Sequence, residues 1–307
     1  MTTLISIETR KKTLWRMWSF RVLAGLLTLV LIGIGSKEFL DAWILRDPSQ
    51  SIHLWHVAEM AALTIIVLAG SLLTLLQRPQ EKPLLAQFFA LSVTVLAMGM
   101  APFEPWALGL LPIVTLFCTL YPYPCKLPVG SREGPLSYTL LALTAICGAF
   151  LLPLAWREMQ WQSIGMLQHD IHAHLFHWAG SALLMVVLVL GGLLAATKWQ
   201  GWLELGFIIG AAYCYLGVMA MLSINYAGSW GGAGGLFAIF AGTWYIIFSA
   251  LETKRVYKPS PASTQAQKVT QAIFQDQATD NAPEERALAL PTARTQPLGN
   301  TRELVGV

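Results

Sequence analysis

Apolar residues in this chain come in blocks of about 18–24, separated by short stretches that hold nearly all of the charge. At 1.5 Å rise per residue, a helical block of roughly 20 matches the ~30 Å hydrocarbon core of a bilayer. Inside that core every backbone N–H and C=O must find its partner within the protein, which leaves helices and closed barrels as spanning structures. The blocks are continuous and show no period-two alternation, so they read as helices. Charged residues are 12% of the chain, against roughly 25% in soluble domains. The expected fold is therefore all-α, a polytopic integral membrane protein with about eight transmembrane helices, near 18–36, 54–76, 84–103, 105–122, 137–156, 175–197, 202–222 and 232–251. The first is the weakest, because Arg16 and Arg21 shorten its apolar part. It has the basic start of a secretory signal, but Ser36-Lys37-Glu38 follows it with no small-x-small cleavage site, so it reads as an uncleaved anchor.

Lysine and arginine set the orientation. With the N-terminus inside, the inner segments hold Arg10, Lys11, Lys12, Arg16, Arg21, Arg78, Lys82, Lys126, Arg132, Lys198, Lys254, Arg255 and Lys258, whereas the outer ones hold Lys37, Arg46 and Arg157. Both termini are expected in the cytoplasm of a cell-membrane protein. The net charge of +3 adds nothing beyond this, and nothing points to nucleic acid. After Tyr257 the chain turns rich in Ala, Gln, Thr and Pro, as in a disordered cytoplasmic tail.

The chain also repeats itself. Aligning His53–Leu76 with His174–Thr197, a shift of 121 without a gap, gives nine identities in 24 positions, among them His53/His174, His56/His177 and Gly70/Gly191. Apolar composition supplies the leucines and alanines of such a match, but not two histidines and a glycine. Upstream of each histidine pair stands a basic-Glu dipeptide, Lys37-Glu38 or Arg157-Glu158, followed by a loop whose apolar residues suit an interfacial segment. The expected organisation is a cytoplasmic segment 1–17, a four-helix unit 18–122, a linker 123–136, a second four-helix unit 137–251 and a tail 252–307. Four spans per unit give two parallel repeats, related by a pseudo-two-fold along the membrane normal.

All six histidines lie at the outer ends of these units, in His53-Leu54-Trp55-His56 and in the run His169-Asp170-Ile171-His172-Ala173-His174-Leu175-Phe176-His177. Residues at i and i+3 share a helix face, so His53/His56 and His174/His177 each present two rings, and two such helices across the pseudo-axis present four. Zinc and copper accept imidazole sets. Glu59 and Met60 extend the first face by a turn, and a thioether favours Cu(I). His169 and His172 would face away from His174 and His177 on a continuous helix, and join as a loop-borne arm with Asp170 orienting a ring. Haem b is a competing cofactor, with His56 and His177 as axial ligands from two helices, and a quinol site or proton sensing would use the same imidazoles. Interfacial hydrogen bonding is the plain alternative.

No nucleophile constellation, dinucleotide fingerprint or phosphate loop is visible, which weighs against an enzyme with its own nucleophile. The four cysteines form no metal-spacing motif. The glycine-rich stretch Gly228–Gly235 reads as a close-packing or flexible outer turn. The function expected is an outward-facing metal- or haem-binding protein serving metal handling or respiratory electron transfer. The other classes are a small-solute transporter or channel, and a structural subunit of a membrane complex. Partners are the lipid bilayer and either a second copy or other membrane subunits.

Overall fold

Each apolar block winds into a helix, and the residues that cannot continue a helix set its ends. A computed structural model describes the backbone of residues 2–45, 53–122 and 132–256. Helix α1 is Thr2–Phe39, closing in a widened turn at Leu40–Ile44. Helix α2, Leu54–Gln77, stops before Pro79, and its middle, Ala62–Ala69, is wound with i→i+5 bonds such as Gly70 N–H to Ile65 O. Helix α3 is Pro83–Met100, with proline in its first turn where no donor is needed. A 3-10 turn, Pro105–Gly109, leads into α4, Leu110–Leu120. Helix α5 is Tyr138–Gln168, capped by Ser137, whose hydroxyl accepts from Leu140 N–H. Then come α6, Ile171–His174; α7, His177–Ala196; α8, Trp202–Leu222; and α9, Gly231–Val256.

Among the described residues, seven helices are long and apolar enough to cross a membrane: α1, α2, α3, α5, α7, α8 and α9. The chain is an all-α, multi-pass protein of the polytopic membrane type. The fourth expected span differs. Prolines 105 and 112 keep its first part from forming α-helical bonds, and the α-helical portion is 11 residues, about 16 Å at 1.5 Å per residue. Pro112 sits in the first turn of α4 and starts the helix; it does not kink it. The fifth span also differs from expectation. Instead of ending near Trp156 and continuing as an interfacial loop, α5 runs for 31 residues, about 46 Å and well beyond the hydrocarbon. Nothing between Trp156 and Gln168 breaks it until His169 turns left-handed. Likewise α1 runs unbroken from Thr2, so no break marks the expected boundary at residue 17. The tail beyond residue 256, and most of the linker, lie outside the described residues.

Helix contacts pair off in two matching sets. Helix α1 packs on α2, α3 on α4, and α1 on α4; α5 packs on α7, α8 on α9, and α5 on α9. Between the sets, α2 packs on α8 and α3 on α7, each the exchange partner of the other. Gly70 and Gly191, aligned by the sequence repeat, both sit at helix contacts: the first faces Ile208 of α8, the second Ile209 of α8 and Phe88 of α3. Helix α7 is the most buried span and α1 the least, 72% against 17%, so α7 lies centrally and α1 faces lipid. Lipid tails are as apolar as leucine, so helices associate through close packing of small residues. The most extensive contact, α8 on α9, follows this: Gly217 and Gly235 meet backbone to backbone, as do Gly210 and Gly242, and a Cβ at any of these would collide.

At the end opposite the histidines, the chain is tied by polar contacts. Lys198 Nζ pairs with Glu252 Oε2 at 2.5 Å, both nearly buried, and Ser137 Oγ donates to Glu252 Oε1 at 2.6 Å. Trp202 Nε1 donates to Glu133 Oε2 at 2.8 Å, and Lys82 pairs with Glu204 at 3.1 Å, so Glu204 is not simply solvated.

Candidate metal centre

The N-terminal end of α2 positions the first two histidines. His53 lies in the turn that begins α2 and His56 in its first helical turn, and both are buried. The second cluster is shaped by two backbone reversals. His169 (φ 57°) and Phe176 (φ 57°) are both left-handed, a conformation costing a non-glycine residue on the order of 1–2 kcal/mol. Such strain persists only where surrounding contacts over-determine it. Here they do. Asp170 Oδ2 accepts from Ala173 N–H at 3.3 Å and from Trp178 Nε1–H at 2.8 Å. Gln162 of α5, fully buried, donates to Ala173 O at 2.7 Å and accepts from Ala179 N–H at 3.1 Å. The short helix α6 is thus fastened to both α5 and α7.

The reversals bring His172 and His177 together against His53. His172 Nδ1 is 3.2 Å from His53 Nδ1 and 3.5 Å from His177 Nδ1. One nitrogen from each of the three rings lies within 4.8 Å of the others. A tetrahedral ion with 2.0–2.1 Å bonds to nitrogen holds its ligand atoms about 3.3 Å apart, so two of the three separations already suit such an ion. Burial, with the neighbouring imidazole next in weight, pushes the pKa of His53 and of His172 below the ordinary 6.5, outweighing the opposing pull of Asp170. Both rings are therefore neutral at pH 7, the form that ligates metal. Asp170 itself is held below the usual carboxylate range: burial raises it, but the hydrogen bonds from Trp178 and from backbone, with nearby His172, outweigh that.

His56 is the fourth ring of the cluster and plays a different part. It stacks on His177, with centroids 4.9 Å apart and planes 26° from parallel, and meets Trp178 edge-on at 4.8 Å. Its Nδ1 is 3.2 Å from Glu59 Oε2 and 3.2 Å from Ser181 Oγ, and the Ser181 hydroxyl also donates to Glu59. This is not the geometry of a nucleophile relay, because both partners share one ring nitrogen and Nε2 has none among the described residues.

The remaining expected residues are placed elsewhere. His174, the sequence counterpart of His53, does not join the site; it is exposed and stacks on exposed His169 at 5.7 Å. His172 takes its place, because the reversals at His169 and Phe176 break the continuous helix on which His172 would have faced away. The Met60 sulfur lies over Gly180, 3.6 Å from where a Cβ would stand. Glu104 caps the Pro105 turn. Trp55, Trp178 and Trp230 are buried around the cluster, Trp55 and Trp230 edge-to-face at 5.5 Å. Gly228, at φ +79°, closes over the top: a Cβ there would come within 3.0 Å of His56 and of Trp178.

One buried acid escaped sequence reading. Glu158 of α5 is fully buried and neither carboxylate oxygen has a hydrogen-bond partner among the described residues. Its place in Trp156-Arg157-Glu158 marks it in the sequence as the exit of a span. The signal that could have found it is the match to Lys37-Glu38, since a repeated acid at a span's outer end is costly without a role. No family model, curated protein or solved structure matches this chain.

Proposed function

We propose that this protein binds a divalent transition metal, zinc or copper, through the imidazoles of His53, His172 and His177, and handles it at the outer face of the cell membrane. The observation that carries this is the convergence of three imidazole nitrogens from three separate backbone segments. Three imidazole nitrogens gathered in one place can ligate one ion when none of the three carries the proton, and the strain spent at His169 and Phe176 serves to gather them. Imidazole-only sets suit zinc and copper. Three protein ligands leave a fourth position open, as in sites that exchange a ligand. A cleft of about 380 Å³ is bordered by Asp170, Trp178 and Gly228, which hold and cover the cluster. The outward placement rests on the lysine and arginine distribution. Haem b is less favoured: His56 and His177 present stacked faces to each other, whereas two axial ligands must point their nitrogens at one iron from opposite sides.

The test is elemental analysis of detergent-purified protein equilibrated with zinc or copper. One ion per chain is expected, lost in His172→Ala and kept in His174→Ala. Protein that takes up neither ion, or loses it in both variants alike, refutes the reading.

A further inference from the structure

Beneath the three-histidine site, toward the bundle interior, lies a second set of donor atoms. His56 Nδ1, Glu59 Oε2 and Ser181 Oγ stand within 3.2 Å of one another. Glu158 reaches toward the same point from α5, close enough to interact with both Glu59 and Ser181. The four side chains come from α2, α5 and α7, and all are buried, none more than 3% exposed. By geometry three carboxylate oxygens, Glu59 Oε1 and both of Glu158, have no hydrogen-bond partner among the described residues, although Trp55 stands near Glu59 and Ser181 near Glu158. Arg157, next to Glu158 in the chain, stacks on Trp161 at 4.5 Å and offsets part of the Glu158 charge. Glu158 is 20 residues from the start of α5, about 30 Å along the helix, which puts it at the outer boundary of the hydrocarbon. Two acids placed together there, out of water, need a counter-charge.

We propose that Glu59, Glu158, His56 and Ser181 form a second cation site, for a hard divalent ion of the Mn²⁺ class. Carboxylate and hydroxyl oxygens select such ions over copper, and one imidazole is compatible with them. A divalent ion cancels the charge of both acids at once, where neutrality without an ion takes a proton on each. The site differs in chemistry from the imidazole triad above it and does not depend on the triad being metallated. Because His56 stacks on His177, an ion at the inner site fixes the ring against which a triad ligand rests.

The experiment uses Mn²⁺ alone as probe, on full-length protein in detergent, read by elemental analysis and by the shift in melting temperature that bound ion produces. Wild type and a His53→Ala/His172→Ala variant are each expected to hold one Mn²⁺ per chain. Glu59→Gln/Glu158→Gln is expected to lose it, and Glu158→Gln alone to bind at least tenfold more weakly, while both keep the zinc or copper of the triad. Should the paired Gln variant aggregate, Glu158→Gln and Ser181→Ala carry the test. Equal Mn²⁺ binding in wild type and the Gln variants, or none in any of them, overturns the inner site; the acids then hold protons only. Mn²⁺ held in the triad variant while no protein takes up zinc or copper instead leaves the inner site standing and removes the reading of the triad.

Discussion

Gly165→Ala tests the metal centre without touching a ligand. Gly165 lies on α5 where α6 crosses it. A Cβ there would stand 2.6 Å from Ala173 Cβ and 3.2 Å from Asp170 Cβ and Oδ2. Ordinary contact begins at 3.4 Å, so α6 must retreat by about 0.8 Å. Its neighbour His172 moves with it, while metal–ligand distances tolerate roughly 0.2 Å. Displacements of this size in supporting residues cost about 10–100-fold in affinity, or roughly 1.4–2.7 kcal/mol. The fold itself is expected to lose little: overpacking costs about 1–3 kcal/mol, and the gain in helix propensity returns about 1 kcal/mol. Gly180→Ala is the matched control, since its Cβ meets only the Met60 sulfur at 3.6 Å. The assay is competition for zinc against a chelator of known affinity, with melting temperature measured alongside. Gly165→Ala should weaken zinc by at least tenfold and Gly180→Ala by less than twofold. Wild-type affinity in Gly165→Ala would show that the α5–α6 contact does not place His172, and the reasoning fails.

Three further outcomes follow from the same geometry. Gly228→Ala meets both a positive φ and a clash with His56 and Trp178, so a loss of about 2–4 kcal/mol is expected, read as a lower melting temperature in detergent. Metal-free protein should lose stability as pH falls below about 6.5: unfolded His53 and His172 take up protons there, while their folded pKa values are lower, so the unfolded chain binds more protons. Replacing both by Gln should lessen that slope in a melting-temperature profile, with buried His56 keeping a share of it. At the opposite end, Lys198→Met strands Glu252 in a nearly buried position, at a cost of about 3–5 kcal/mol, and adding Glu252→Gln should recover much of it; a double variant no more stable than the single contradicts the pairing.

The amino-acid sequence by itself determined that this chain is a set of membrane-length helices, because block length and continuous apolarity act through the bilayer rather than through particular contacts. It also marked where the chemistry lies, since six histidines at two matched points are not a compositional accident. His53, His56 and His177 were legible from their spacing on helix faces. Tertiary structure decided the rest. The choice of His172 over His174 depends on left-handed turns at His169 and Phe176, and those are held by Asp170, Gln162 and Trp178, whose partners are 3 to 17 residues away along the chain and lie on different elements. A helical period read across that stretch assumes a continuity the fold does not keep. The extent of α5 was hidden for a related reason: apolar and aromatic residues past the membrane boundary look the same whether they form a loop at the interface or a helix that continues. Glu158 was obscured with it, because an acid beside an arginine reads as solvated, and only the packing of α2, α5 and α7 shows that it turns inward, toward Glu59 and Ser181.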